Sequence, residues 1–361
     1  MEPFKLLINE DVVRAIGGCV GRAWPAFPRR SFERAATGLD ALELKARAMH
    51  VADALEATLP GDFPAAADVL AAAMIGPEGL SGWALWPVGE FIARRGQAHP
   101  QRALELLRAL TPRFTAEWAI RPFIVAHPAL AFETLQRWTQ DPDEHVRRLA
   151  SEGSRPRLPW GLQLKALIAD PSPTLPIIEA LLDDSSEYVR RSVANHLNDI
   201  AKDHPALVAD WLDRHLPGAS AQRRALLRHA SRTLIKKGDA RILHAWGVGK
   251  PLRGTATLAV APAKLALGGS LTIDVALQAA GRGRQSLAID YAVHHVKANG
   301  ATSPKVFKGW LLDLAAGEAR ALRKTHAMRP ITTRRYFAGL HRVELLVNGR
   351  PVAEATFELS T

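Results

Sequence analysis

The chain of 361 residues holds a single cysteine, Cys19. An internal disulfide is excluded, and so is a cysteine-rich zinc site. No apolar run is long enough to cross a bilayer, since the longest, "AAADVLAAAMIG", is interrupted by Asp68. The opening "MEPFKLLINE" has neither the basic nor the apolar segment of a secretory signal. No metal-ligand spacing, glycine-rich phosphate loop, serine nucleophile elbow or Cys–His arrangement is present, and "GRG" at Gly281 falls in strand-type sequence. Acidic residues are in deficit, 36 against 47 Lys and Arg, which leaves a net charge of +11. These absences predict a soluble, cytoplasmic protein without metal or cofactor. The charge calls for an anionic partner, nucleic acid first, with a merely solvated basic surface as the plain alternative.

What is present divides by pattern. The 47% hydrophobic content is ample for two domains. As far as Gly247, Ala, Leu, Arg and Glu dominate, and apolar residues recur every three or four positions. From about Arg253 the period becomes two: Leu271, Ile273, Val275 and Leu277, then Leu287, Ile289, Tyr291 and Val293. "HRVELLVNGRPVAEATFEL" is two strand runs around Asn348-Gly349, a strong hairpin signal. The expected organisation is a helical domain over 1–247, a linker over 248–253 and an immunoglobulin-like β-sandwich over 254–361. From Lys250 onward there are 16 Lys and Arg against 7 Asp and Glu, compared with 31 against 29 before it. The β module thus carries most of the excess positive charge. It reads as a basic body tethered by "GVGKPLRG" that could clamp a duplex.

The helical part repeats itself. "DPDEHVRR" from Asp141 and "DSSEYVRR" from Asp184 match at an offset of 43 residues, and "HPALAFETL" from His127 matches "DPSPTLPII" from Asp170 at the same offset. Related helix openings recur at His99 and His204. This period predicts a HEAT-like α-solenoid. Asp-x-x-Glu before each Val-Arg-Arg reads as a capping box, with the Asp accepting from a free N–H at the helix start.

Helical spacing places Val189, Val193, Leu197 and Ile200 on one core face of the second helix of a unit. It places Arg191, Asn195, Asn198 and Asp199 on the opposite, exposed wall. Glu152, one repeat earlier, takes the place of Asn195, so Glu152 and Asp199 are expected on neighbouring helices. Glu117 and Arg121 add a further pair. Three carboxylates among arginines could line one concave surface. Glu117–Arg121 and Arg148–Glu152 are equally ordinary i,i+4 pairs, and spacing alone favours that structural reading. Trp160 alone suits a core, and His196 and His229 are single histidines.

The motifs "SEGSRPRLPWG", "AEWAIRPFI", "VRRSVANHLNDIAKDHP" and "RTLIKKGD", with "PFKLLINEDVV" and "LELKARAMHVADAL" near the start, resemble the AlkC branch of bacterial DNA alkylation repair glycosylases. The resemblance spans Phe4 to about Gly247, and members of this branch can carry an Ig-like module. It implies excision of cationic alkylated bases, chiefly N3-methyladenine, from duplex DNA with the lesion still stacked rather than flipped out. It implies Glu117, Glu152, Trp160 and Asp199 as the active-site positions. It further implies a monomer acting at the nucleoid, with duplex DNA containing alkylated bases as its partner.

The residue types suit that chemistry. N3-methyladenine is already cationic and leaves without a general acid. Loss of the base gives an oxocarbenium-like sugar, which carboxylates beside C1′ can stabilise while positioning water. An indole face can hold the cationic nucleotide. Arg121, Arg148, Arg155, Arg157, Arg190, Arg232, Lys236 and Lys237 are candidates for contact with DNA phosphates. Two other readings stay open: a non-catalytic HEAT/Ig protein binding damaged or branched DNA, and a protein–protein scaffold.

Overall fold

The computed structural model describes residues 4–247, 250–331 and 335–361. Val248 and Gly249, at the start of the expected linker, lie outside the described residues. Among those described, sixteen α-helices come first in sequence. They are α1 (Glu10–Ala23), α2 (Arg29–Glu33), α3 (Leu44–Thr58), α4 (Phe63–Ala73), α5 (Leu85–Arg95), α6 (Pro100–Leu110), α7 (Arg121–Ala126) and α8 (Pro128–Trp138). There follow α9 (Glu144–Gly153), α10 (Lys165–Ala169), α11 (Leu175–Ala180), α12 (Glu187–Asp203), α13 (Pro205–His215), α14 (Ala221–Ala230), α15 (Arg232–Lys237) and α16 (Ala240–Ala245). The architecture is the expected one, HEAT-like helical repeats and an Ig-like β-sandwich.

The chain forms two compact units, Met1–Asp203 with Ser220–Ala230, and His204–Ala219 with Ser231–Thr361. The second unit takes α13, α15 and α16 together with the strands.

In the first unit the helices pair as the repeat demands. Prolines begin α6 and α8 directly after His99 and His127, where a missing N–H costs nothing because the first turn has no acceptor for it. Val189, Val193, Leu197 and Ile200 are buried, as their spacing requires. Asn198 and Asp199 are buried as well. The expectation of an exposed wall there is corrected, because α9 and the segment after it cover that face of α12.

The capping boxes are also corrected. Asp143, not Asp141, caps α9 by accepting from His145 N. Asp141 accepts from Asp143 N at 3.0 Å, and Asp184 accepts from Ser186 N at 2.8 Å. Each of these aspartates closes an Asx turn and also binds an arginine of the preceding repeat: Arg108 with Asp141 at 2.6 Å, Arg147 with Asp184 at 2.7 Å. The repeated Asp therefore fastens one repeat to the next.

In the second unit the strands are β1 (Gly254–Ala261), β2 (Lys264–Ala266), β3 (Ser270–Ala279), β4 (Gln285–Val296), β5 (Thr302–Leu314), β6 (Ala319–Ala327), β7 (Gly339–Val347) and β8 (Arg350–Ser360). One sheet has the order β1-β3-β6 and the other β2-β8-β7-β4-β5. The alternating residues Leu271, Ile273, Val275 and Leu277 of β3 meet Leu287, Ile289, Tyr291 and Val293 of β4 in the core. Asn348 (φ 51°) and Gly349 (φ 77°) make the β7–β8 turn, both in the left-handed region that this dipeptide tolerates. A Cβ on Gly349 would stand 2.8 Å from Gly238 Cα, so the hairpin tip packs on the end of α15. The described part of the expected linker does not hang free. Lys250 O accepts from Asn348 Nδ2 at 2.8 Å, and Arg253 exchanges two hydrogen bonds with Gln285.

Candidate active site

The carboxylates are carried by three separate parts of the first unit. Glu117 lies in the turn before α7, Glu152 on the last turn of α9, and Asp199 on α12. Six side chains form a chain of alternating charge: Glu117, Arg148, Glu152, Arg155, Asp199, Lys202. Arg148 bonds Glu117 at 2.5 Å and lies 3.4 Å from Glu152. Arg155 bonds Glu152 at 2.6 Å through Nη1 and Asp199 at 2.9 Å through Nε. Lys202 closes the chain at 2.7 Å from Asp199 Oδ1. Glu152 also accepts from Ser192 Oγ at 2.6 Å, and Glu117 from Thr115 Oγ1 at 3.0 Å.

The expected i,i+4 pair between Arg148 and Glu152 is present. Arg121 turns elsewhere. It is fully buried, and its guanidinium donates to Leu162 O at 2.6 Å and to Gly153 O and Arg155 O at 2.8 Å each. Burial, with help from the charge of Arg155, pulls its pKa down to about 10. Arg121 is therefore withdrawn as a phosphate contact, because no part of it reaches solvent. It is a clamp on the segment that follows α9.

That segment carries Trp160. Helix α9 ends at Gly153, where a Cβ would come within 2.7 Å of Ile120, so the backbone passes close under α7. Trp118 donates to Pro159 O at 3.3 Å and stacks on Trp86 with ring centroids 4.6 Å apart. Between these fixed points Trp160 adopts a left-handed backbone (φ 62°), with 64% of its surface exposed. A bulky residue held in that region against its steric preference marks a segment determined by its surroundings. An exposed indole is also the opposite of the core role that Trp160 alone suggested.

The other candidates divide. Arg148 and Arg155 lie inside the charge chain. For Arg148, burial lowers the pKa, but Glu117 and Glu152 outweigh it and the net shift is upward. Arg157, half-buried, grips Asp203 through two bonds of 2.8 Å. Arg190 folds back onto Asp184 O and Ser185 O. Lys236 and Lys237, on α15 of the second unit, are exposed, and Arg232 there is half-buried.

Sequence reasoning missed Ser192, set His196 aside as a single histidine and missed Lys202. A signal existed for the first two. At the repeat offset of 43, Ser192 replaces Leu149 and His196 replaces Gly153, so polar groups stand where the preceding repeat has none. Both are buried against α9. Lys202 had no such signal.

Comparison with known proteins gives matches over both the helical and the strand-rich parts of the chain. A family model described as DNA alkylation repair enzyme matches residues 102–234, and one described as the C-terminal Ig-like domain of the uncharacterised protein YhaZ matches residues 254–361. The YhaZ protein of Bacillus subtilis (strain 168), itself uncharacterised, is 34% identical over 362 residues, covering 99% of this chain and 100% of its own. A solved structure of the alkylpurine DNA glycosylase AlkC of Pseudomonas fluorescens, bound to DNA containing an abasic site analog, matches with a TM-score of 0.92. That match has 36% identity and covers 100% of both chains.

Proposed function

The chain belongs to the AlkC-type family of DNA alkylation repair glycosylases, and from that premise we propose that it excises cationic alkylated purines, chiefly N3-methyladenine, from duplex DNA. The observation that carries the reading is the joining of Glu117, Glu152 and Asp199 in one buried chain of charge, next to a clamped segment that presents Trp160 to solvent. Glu152 and Asp199 stabilise the developing oxocarbenium ion and position the attacking water. Glu117 orients this group through Arg148. The indole of Trp160 packs on the deoxyribose, so no deep base pocket and no base flipping are needed. In a low-dielectric site a carboxylate acts on a nearby positive charge far more strongly than in water. Arg157, Arg190, Arg232, Lys236 and Lys237 serve as phosphate contacts. Arg148 and Arg155 hold the carboxylates in place.

The same chain of charge suits a second reading, a non-catalytic binder of damaged DNA, because every carboxylate in it already has a cationic partner. One assay separates the two. Purified protein is incubated with methylated duplex DNA, and free bases are resolved by chromatography. Release of 3-methyladenine supports the glycosylase. Tight binding of the damaged duplex without release supports the architectural protein.

A further inference from the structure

Asp199 cannot act on a substrate in the arrangement described above. Its side chain is 2% exposed, and both oxygens are taken. Oδ2 receives Nε and Nη2 of Arg155 at 2.9 and 2.8 Å, and Oδ1 receives the Lys202 ammonium at 2.7 Å. For the carboxylate to meet a cationic nucleotide or a water, one of these partners has to leave. Arg155 is fixed. It is 9% exposed, it is shared with Glu152, and its own carbonyl is held by Arg121 at 2.8 Å. Lys202 is not. Its side chain is 41% exposed, it makes a single ion pair among the described residues, and it sits on the last turn of α12, on a flexible four-carbon stem.

We propose that Lys202 is a place-holder cation: it covers Asp199 in the free protein, competes with the lesion for that carboxylate, and leaves for a DNA phosphate when the duplex binds. Its ammonium occupies Oδ1, the oxygen of Asp199 that Arg155 leaves open, and a cationic sugar would need that same oxygen. Lys202 can exchange the carboxylate for a phosphate because Arg155 still neutralises the buried Asp199 after it leaves, and phosphates dominate the field near DNA. The device keeps a buried carboxylate paired in the absence of substrate and exposes it only beside DNA. The inference rests on the proposed role of Asp199.

The test compares wild type, Lys202→Met and Asp199→Asn as full-length proteins. Single-turnover release of 3-methyladenine is followed with enzyme saturating, and the salt dependence of binding to an undamaged duplex is followed by fluorescence anisotropy. In the bound complex Lys202 still exchanges between Asp199 and a phosphate and so competes with the lesion, and its removal raises the rate constant by about two- to tenfold. The same variant flattens the plot of log K against log salt by about 0.9, as expected when one phosphate fewer is neutralised. A rate at or below wild type for Lys202→Met, or an unchanged salt slope, overturns the place-holder. If Asp199→Asn is slow in that case, the role of Asp199 stands and only the Lys202 proposal fails. No release by wild type, or full activity in Asp199→Asn, overturns the role of Asp199 and the place-holder with it. A purely structural lysine could not make excision faster.

Discussion

The Nε of Arg121 donates to the carbonyl of Leu162 at 2.6 Å, from a side chain with no exposed surface. With its bonds to Gly153 O and Arg155 O, this contact closes the segment carrying Trp160 into a loop anchored on α7. Replacing Arg121 with Ala leaves buried carbonyls unpaired. The expected loss of stability is about 3 to 5 kcal/mol, on the scale of breaking a buried charged network. Arg121→Lys should recover part of it, because one ammonium can reach only some of these acceptors. Urea denaturation checks this, and an alanine variant as stable as wild type would remove the clamp from the account.

Asp199→Asn and Glu152→Gln are each expected to slow excision at least ~10²-fold, the scale on which a positioned electrostatic group acts. DNA affinity should change far less, because phosphate contacts dominate it. Single-turnover kinetics and anisotropy on the same preparations separate the two effects. Near-normal rates in both variants would return the charge chain to a structural role.

The fold was legible because its signals are periodic. The offset of 43 residues between Asp141 and Asp184 and the alternation from Leu271 to Leu277 each survive local accidents. The site was legible only in part. Spacing brought Glu152 and Asp199 to neighbouring helices, but it set them on an exposed wall, since a helical wheel does not know that Arg155 and the segment after α9 fold over α12. Arg121 misled for a related reason. An arginine four residues after a glutamate looks like half of a surface pair, and nothing local says that it turns inward to carbonyls 32 to 41 residues away. Lys202 was invisible because its meaning depends on both oxygens of Asp199 being occupied.

Trp160 gives a paired test. Trp160→Ala and Trp160→Gly both remove the indole and should both lose most excision. They should differ in stability. At φ 62° an alanine keeps the left-handed strain that glycine does not feel, so the glycine variant is expected to be more stable by about 1 kcal/mol. At an ordinary helix or strand position glycine would be the weaker of the two. An alanine variant that matches or exceeds glycine in chemical denaturation would show that the segment relaxes when the indole is gone.

The β-sandwich offers cations on aromatic faces. Lys305 Nζ lies 5.4 Å from the Phe307 ring centre, and Lys324 Nζ lies 5.8 Å from that of Trp310. A basic and aromatic surface of this kind suits a nucleic-acid backbone. Lys305→Gln combined with Lys324→Gln is expected to flatten the salt dependence of DNA binding by about 0.9 for each phosphate that is no longer neutralised. The sandwich core should be untouched, since neither lysine is buried. An unchanged slope in a variant of wild-type thermal stability would exclude this face from DNA binding.

His196 on α12 is fully buried, and neither ring nitrogen makes a hydrogen bond of good geometry. Burial pushes its pKa down to about 3. The positive charges of Arg155 and Arg121 add to that shift, and the backbone of Ser151 offsets part of it. The folded protein therefore holds this imidazole neutral down to about pH 3, whereas the unfolded chain protonates it near 6.5. Between those values the unfolded state binds one more proton, so stability falls as the pH drops, by about 1.4 kcal/mol per pH unit. The penalty is absent above the unfolded value and complete below the folded one. Carboxylates and other histidines add their own pH dependence, so the informative quantity is the difference between wild type and His196→Leu, which has nothing to protonate at this position. Unfolding free energies at pH 7 and pH 5 give it directly. Wild type should lose about 2 kcal/mol more than the variant over that interval. Equal losses in both proteins would mean that His196 accepts its proton without unfolding the helical unit, and that the space around it admits water or lets the ring turn outward.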